Sequence, residues 1–121
     1  MRKRIMLVDD SRVVYIQMKQ LLAESSYEIA EYCSSGEEAL EKYATVRPDL
    51  VTMDIIMPGM DGLETARILK NEHPEAKIIM LSSLAYADTY KEADAIGAKA
   101  FIAKPLNPDD VLQTLDKVLH G

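Results

Sequence analysis

Acidic and basic side chains follow three short apolar runs of this chain, and their types indicate one kind of chemistry. Asp9 and Asp10 follow the first run, Asp54 follows the second and Lys104 follows the third. Short apolar runs separated by segments of helical period are typical of parallel strands in an α/β sheet. In such sheets the ligand site lies outside the carboxyl ends of the strands. We therefore expect the carboxylates and the ammonium group to meet at one edge of a sheet, although they lie far apart in the sequence.

A cluster of this composition favours a divalent cation and a phosphoryl group. Carboxylates that are brought together repel one another, which raises their pKa values unless positive charge is near. Oxygen ligands suit Mg²⁺, which takes one or two carboxylates, keeps several waters and often binds a phosphate oxygen. Lys104 supplies a compact positive charge, and Ser82 supplies a hydroxyl at the end of a fourth apolar run. One aspartate can then act as the nucleophile, because a carboxylate can form an acyl phosphate.

Each of these residues also has a simpler explanation when it is considered alone. A single aspartate at a strand end is most often a helix cap or a loop residue. The convergence of Asp9, Asp10, Asp54, Ser82 and Lys104 on the ends of separate strands is much harder to explain in that way. The combination therefore predicts a functional site.

Composition and charge limit the chain to a few classes of protein. Its 121 residues fit one domain, expected to span residues 1–121, and its formal net charge of −6 argues against binding to nucleic acid. No apolar stretch is long enough to cross a membrane, and the run after the basic N-terminus is too short for a secretory signal. The single cysteine, Cys33, cannot form an internal disulfide, so we expect a cytoplasmic protein.

Strands and helices are expected to alternate five times. The apolar runs predict strands at 4–8, 27–33, 49–54, 77–82 and 100–103; the second carries two glutamates, as an edge strand would, and the fourth is apolar enough to be central. Helices are expected after each strand, the third over 63–72 and the fourth from about Asp88 to Ile96. Their predicted end signals are Ser11, the Ser35–Glu38 capping box, Gly97 and the pair Asn107-Pro108. Such alternation predicts right-handed crossovers and a parallel sheet covered on both faces.

Four motifs resemble those of bacterial response-regulator receiver domains. They are VDDSR after the first strand, DIIMPGMDG at the end of the third, LSS at the end of the fourth and KP after the fifth. The resemblance covers the whole chain and implies a flavodoxin-like α/β fold, a doubly wound parallel sheet of five strands in the order 2-1-3-4-5 with five helices. It also implies a role in two-component signal transduction, as a phosphoacceptor switch of the stand-alone, chemotaxis type rather than an enzyme.

The resemblance assigns the phosphoacceptor and the metal ligands. Asp54 is implied as the residue that takes a phosphoryl group from a phosphohistidine of a sensor histidine kinase. Asp10, Asp54 and the backbone carbonyl of Ile56 are implied as direct ligands of Mg²⁺. Asp9 is implied to act mainly through a bound water.

The resemblance also assigns the residues that hold the phosphoryl group and transmit the signal. Lys104 and Ser82 are implied to bind phosphoryl oxygens, and the Lys104–Pro105 peptide bond is expected to be cis. Phe101 stands where the family carries its aromatic switch residue, often a tyrosine, whose hydroxyl it lacks. The fourth helix, the fifth strand and the fifth helix are expected to form the face that binds a downstream protein.

Two positions depart from the pattern of many relatives. Ile56 lies two residues after Asp54, and Leu84 lies two residues after Ser82. Many relatives carry polar side chains at one or both positions, where they can interact with the water that hydrolyses the acyl phosphate. We therefore expect the phosphorylated form of this chain to be long-lived.

Other functions account for fewer of these features. A Mg²⁺-dependent phosphatase of the haloacid-dehalogenase type would carry a DxD motif at the first strand and usually a cap domain, whereas the acids here are adjacent. A flavodoxin-like cofactor binder would need a phosphate loop rich in Ser, Thr and Gly where this chain has DDSRVVY. A receiver domain from a longer regulator with an output domain stays open as an alternative to the stand-alone form.

Overall fold

The computed structural model describes residues 2–83 and 87–120, which form one parallel sheet flanked by helices. The strands are β1 (Lys3–Val8), β2 (Tyr27–Cys33), β3 (Leu50–Asp54), β4 (Ile78–Ser82) and β5 (Ala100–Ala103). The helices are α1 (Arg12–Leu22), α2 (Gly36–Val46), α3 (Gly62–Glu72), α4 (Ala87–Ile96) and α5 (Pro108–His120). The strand order is β2-β1-β3-β4-β5, and every neighbouring pair is parallel. The predicted flavodoxin-like topology is confirmed.

Two apolar clusters, one on each face of the sheet, hold the helices against the strands. Leu7 and Ile79 face the cluster that contains the buried side chains of α1 and α5, whereas Met6 and Met80 face the cluster that contains those of α2, α3 and α4. Successive side chains of a strand point to opposite faces, so a strand covered on both sides is apolar at nearly every position. This explains why β1 and β4 are continuous apolar runs in the sequence.

Polar caps fix the helix starts that follow the strands. The predicted caps are confirmed, and each accepts a backbone N–H of its helix: Ser11 from Val14, Ser35 from Glu38 and Asn107 from Asp110. The third helix begins at Gly62, one residue earlier than predicted, because Asp61 caps it by accepting the N–H of Glu64 at 2.8 Å. All other strand and helix bounds predicted from the sequence agree to within one residue. Among the described residues, no helix is both long enough and apolar enough to cross a membrane.

Candidate functional site

Three carboxylates and one lysine meet at the carboxyl edge of the sheet. Asp9 and Asp10 follow β1, Asp54 ends the neighbouring β3, and one oxygen of each lies within 4.8 Å of the others. The Nζ atom of Lys104, which follows β5, lies 2.9 Å from Oδ2 of Asp9 and 3.4 Å from Oδ1 of Asp54. The predicted convergence of these residues is confirmed.

The turn after β1 gives the two adjacent aspartates different environments. The backbone N–H of Asp9 donates to the carbonyl of Cys33 at 3.0 Å, and Oδ1 of Asp9 accepts the backbone N–H of Ser11 at 2.9 Å. Asp9 is completely buried, whereas Asp10 is exposed to solvent. Asp9 is therefore held rigidly inside the edge of the sheet, whereas water can reach the carboxylate of Asp10.

A close approach between backbones fixes the position of Asp54. The N–H of Gly62 donates to the carbonyl of Ile55 at 2.7 Å, which brings the first turn of α3 against the end of β3. A Cβ atom at Gly62 would lie 1.8 Å from the carbonyl oxygen of Asp54, so no larger residue fits without moving the backbone. Gly62, the second glycine of the PGMDG segment, is therefore required by packing and holds the loop after Asp54 in place.

Burial and the neighbouring carboxylates disfavour a negative charge on Asp54. Burial, followed by the repulsion of Asp9, raises the pKa of Asp54 from 3.8 to about 6, although Lys104 acts in the opposite direction. Asp54 is only 5% exposed, so water screens this repulsion poorly. The carboxylates are therefore held together under strain that a cation would relieve.

The donor set fits a hard divalent cation such as Mg²⁺. All three side chains offer carboxylate oxygens, which such ions prefer. Oδ2 of Asp9 is buried, meets the Nζ atom of Lys104 at 2.9 Å as an ion pair and accepts no hydrogen bond from the described residues. One lysine balances only one of the three clustered negative charges, so the edge still favours a cation that completes the site.

Ser82 and Lys104 lie side by side at the ends of β4 and β5. Ser82 is buried and pairs in register with Ala103, and its carbonyl accepts the N–H of Lys104 at 2.9 Å. The next peptide bond, Lys104–Pro105, is cis, as predicted. The two residues assigned to phosphoryl oxygens are thus joined through their backbones on one side of Asp54.

Phe101 packs against Tyr90 of α4, a contact between two elements that the sequence pattern does not predict. The ring of Phe101 is half-buried on β5, and its centroid lies 4.3 Å from that of Tyr90 on α4, with an angle of 50° between the rings. Tyr90 is 42% exposed, so the pair reaches from the sheet to the surface. The contact joins residues of different elements, and the aromatic type of both residues is the signal in the sequence that could have indicated it.

Of the two departures from the family pattern, the structure describes one. The side chain of Ile56 is 56% exposed in the loop after Asp54, at the rim of the acidic edge. Leu84 lies outside the described residues. The structure therefore shows an exposed apolar side chain, Ile56, at the rim of the acidic edge.

Comparison with known proteins connects this fold and site with one family. Residues 5–116 match the family model of the response regulator receiver domain. The chain belongs to the response-regulator receiver family. The receiver domain is 40% identical over 118 residues to the chemotaxis protein CheY of Thermotoga maritima, with 98% of both chains covered. It is 38% identical over 120 residues to CheY of Bacillus subtilis, with 99% of this chain and 100% of the relative covered.

A solved structure agrees with the receiver assignment. The CheX-CheY-BeF3-Mg²⁺ complex from Borrelia burgdorferi contains a chain that matches with a TM-score of 0.93 and 34% identity, covering 98% of this chain and 90% of that one. CheY-like receiver domains are signal switches. The protein is therefore a CheY-like receiver domain of two-component signalling, with an acidic cluster at the place where the sequence predicted its site.

Proposed function

We propose that this receiver domain, spanning residues 1–121, is a switch that is driven by phosphorylation of Asp54 by a sensor histidine kinase. The observation that carries the proposal is the position of the Asp54 carboxylate between two acidic side chains and Lys104. The acids supply a cation site, and the ammonium group 3.4 Å from Oδ1 supplies a positive charge where a transferred group would arrive. Asp9 lies near the same groups, but it is completely buried and its Oδ1 accepts the Ser11 N–H, so Asp54 is the better-placed phosphoacceptor.

The chemistry is an in-line transfer between a nitrogen and an oxygen. An oxygen of Asp54 attacks the phosphorus of a phosphohistidine, a P–O bond forms, and the P–N bond breaks with its electrons going to the leaving imidazole, which takes up a proton. The Lys104 ammonium and the Ser82 hydroxyl bind phosphoryl oxygens and stabilise the charge that is transferred. When bound, Mg²⁺ neutralises the negative charge that the carboxylates and the phosphoryl group bring together.

The burial of the two adjacent aspartates supports different roles for them. Asp10 is exposed, so we assign it with Asp54 and the backbone carbonyl of Ile56 to the direct ligands of Mg²⁺. Asp9 is fixed by the Ser11 N–H and by Lys104, so we assign it a contact through a metal-bound water. Mg²⁺ keeps several waters in sites of this kind, which fits the division.

The output of the switch is proposed to be binding of a downstream protein to the face formed by α4, β5 and α5. When Ser82 binds the phosphoryl group, space is released near β5 that Phe101 fills by turning inwards, away from Tyr90. A bound group shifts such an equilibrium only by its differential affinity for the two states. The Phe101–Tyr90 contact supports this route because it lies on the proposed face and couples the buried strand to the surface.

The proposal is tested by phosphorylation with acetyl phosphate, a small donor that needs no kinase. With Mg²⁺ the intact mass should increase by one phosphoryl group, and the increase should be absent with EDTA. Asp10→Ala should lose Mg²⁺ binding and phosphorylation together, whereas the control Asp94→Ala, at an exposed position of α4, should be labelled like wild type. Full labelling of Asp54→Ala, or labelling that EDTA does not reduce, would contradict the proposal.

A further inference from the structure

Tyr32 lies on the edge strand β2, next to β1, whose carboxyl end is followed by Asp9 and Asp10. Tyr32 pairs in register with Leu7 of β1, two residues before Asp9. The following residue, Cys33, accepts the backbone N–H of Asp9 at 3.0 Å. The backbone that presents Tyr32 is therefore tied directly to the backbone that presents Asp9.

A stack of side chains from α1 holds the Tyr32 ring in place. The rings of Tyr15 and Tyr32 are nearly parallel, with their centroids 4.5 Å apart and an angle of 13° between them. The ammonium group of Lys19 lies 5.9 Å from the centroid of the Tyr15 ring, at the distance of a cation–π contact. A ring that is fixed in this way carries its hydroxyl to a defined place.

The Tyr32 hydroxyl is a buried polar group without a hydrogen-bond partner. Among residues 2–83 and 87–120, the buried side-chain atoms in this state are Oη of Tyr32, Oδ2 of Asp9 and Oγ1 of Thr52. Thr52 is on β3, with β1 between it and Tyr32. An unpaired buried hydroxyl typically costs about 1–3 kcal/mol, so its retention calls for a partner that comes from outside the protein chain.

The groups around the hydroxyl limit which side chain can accept its hydrogen bond. After burial, the charge of Asp9 is the largest influence that raises the pKa of Tyr32; Asp10 and Glu38 raise it further, and Arg12 lowers it. Arg12 has no acceptor atom, so it cannot accept a hydrogen bond from the hydroxyl. Glu38 is on α2, which packs on the face of the sheet opposite to Tyr32, and it already accepts the N–H of Ser34 at 2.7 Å and pairs with Lys42 at 3.5 Å. The acceptors that remain are the carboxylates of the cluster. Oδ2 of Asp9 meets Lys104 at 2.9 Å as an ion pair but accepts no hydrogen bond, so a lone pair of this oxygen can still accept one.

We propose that Tyr32 is a positioning residue of the acidic cluster: its hydroxyl donates a hydrogen bond, through one bridging water, to Oδ2 of Asp9. The bond gives the Tyr32 hydroxyl an acceptor and adds to the ion pair of Oδ2 with Lys104, so that the Asp9 carboxylate keeps the orientation that favours Mg²⁺. The inference rests on the proposed function, since it concerns the same metal site. Groups that orient direct metal ligands typically contribute about 10- to 100-fold to metal affinity, and because Asp9 is assigned a contact through a water we expect the lower end of that range.

The test compares Mg²⁺ dissociation constants of wild type, Tyr32→Phe and Tyr15→Phe. They are measured by NMR titration of Mg²⁺ on the amide signals of Asp9, Asp10 and Asp54. Tyr32→Phe keeps the ring stack and removes only the hydroxyl, so its dissociation constant should rise by about tenfold. Tyr15→Phe removes the other hydroxyl of the same stack and should bind like wild type. Thermal unfolding in EDTA should give similar midpoints for all three proteins, which separates a positioning role from a structural one.

The other outcomes would overturn the inference, each for a different reason. If Tyr32→Phe binds Mg²⁺ as wild type does, the hydroxyl does not position the site, while the metal site itself stands. If Tyr15→Phe loses the same affinity, or if the loss follows a lower unfolding midpoint, the effect comes from the ring stack. If wild type binds no Mg²⁺, the metal site of the proposed function fails, and this inference fails with it.

Discussion

Replacement of Asp54 by asparagine should make the metal-free protein more stable, although it removes the proposed phosphoacceptor. Asparagine keeps the size of the side chain and an oxygen for Lys104, but it carries no negative charge. In the folded protein the pKa of Asp54 is raised to about 6, first by burial and then by Asp9. The ionised carboxylate therefore opposes folding, and its removal should relieve that opposition.

The magnitude follows from the linkage between protonation and folding. The unfolded chain has the ordinary pKa of 3.8 and the folded protein a value of about 6, so the folded state binds the proton more tightly. The contribution of Asp54 to stability is therefore highest at low pH and decreases as the pH rises from the unfolded pKa through the folded one. A difference of about two pKa units corresponds to about 3 kcal/mol at about pH 7 and to less than about 1 kcal/mol at about pH 4. Asp54→Asn should gain these amounts over wild type.

Urea unfolding in EDTA at the two pH values measures both gains, with the slope of the transition as a check that the unfolded states are comparable. Asp94→Asn is the control: it removes a carboxylate from an exposed position of α4, and its effect should stay within about 0.5 kcal/mol. Equal stability of Asp54→Asn and wild type at about pH 7 would refute the electrostatic reasoning. A gain that does not depend on pH would refute it as well, because it would have to come from packing.

Three further results follow from the same structure. Ile56→Asn should shorten the lifetime of the phosphorylated protein by about tenfold or more, because it offers the attacking water a hydrogen bond at the rim of the site; an unchanged decay rate would show that this side chain does not control the water. Cys33 should resist iodoacetamide at about pH 8 until the protein is unfolded, because its thiol is fully buried and burial raises its pKa to about 12; rapid labelling of the native protein would contradict this. Beryllofluoride with Mg²⁺ should shift NMR signals of α4, β5 and α5, including Phe101 and Tyr90, and shifts confined to the loops after β1 and β3 would tell against the proposed coupling.

The elements and the members of the cluster could be predicted because their signals are local. A strand that is buried on both faces is an unbroken apolar run, and a cap such as Ser11 or Ser35 stands directly before its helix. Since parallel strands end at the same edge, the residues that follow them could be placed together without knowing any distance. The order of the strands, by contrast, came from the resemblance to receiver domains, because the sequence pattern alone allows several orders.

What could not be predicted depends on contacts between elements that lie far apart in the chain. The different burial of Asp9 and Asp10 results from the turn after β1 and from the reach of Lys104, neither of which changes the local pattern. The stack of Tyr15 on Tyr32 has the same character, because it joins a helix to an edge strand through side-chain packing. The predicted start of α3 was one residue too late, because Asp61, in the loop after β3, caps the helix by accepting the N–H of Glu64.

The central claim is that Asp54 carries the phosphoryl group, and localisation of the label tests it most directly. The protein is phosphorylated with acetyl phosphate and Mg²⁺, reduced with borohydride, which converts an aspartyl phosphate to homoserine, and analysed by peptide mass spectrometry. Homoserine should appear at position 54 and at no other aspartate, and it should be absent when EDTA replaces Mg²⁺. Homoserine at position 9 or 10, or a phosphoryl group retained on Ser82, would contradict the account.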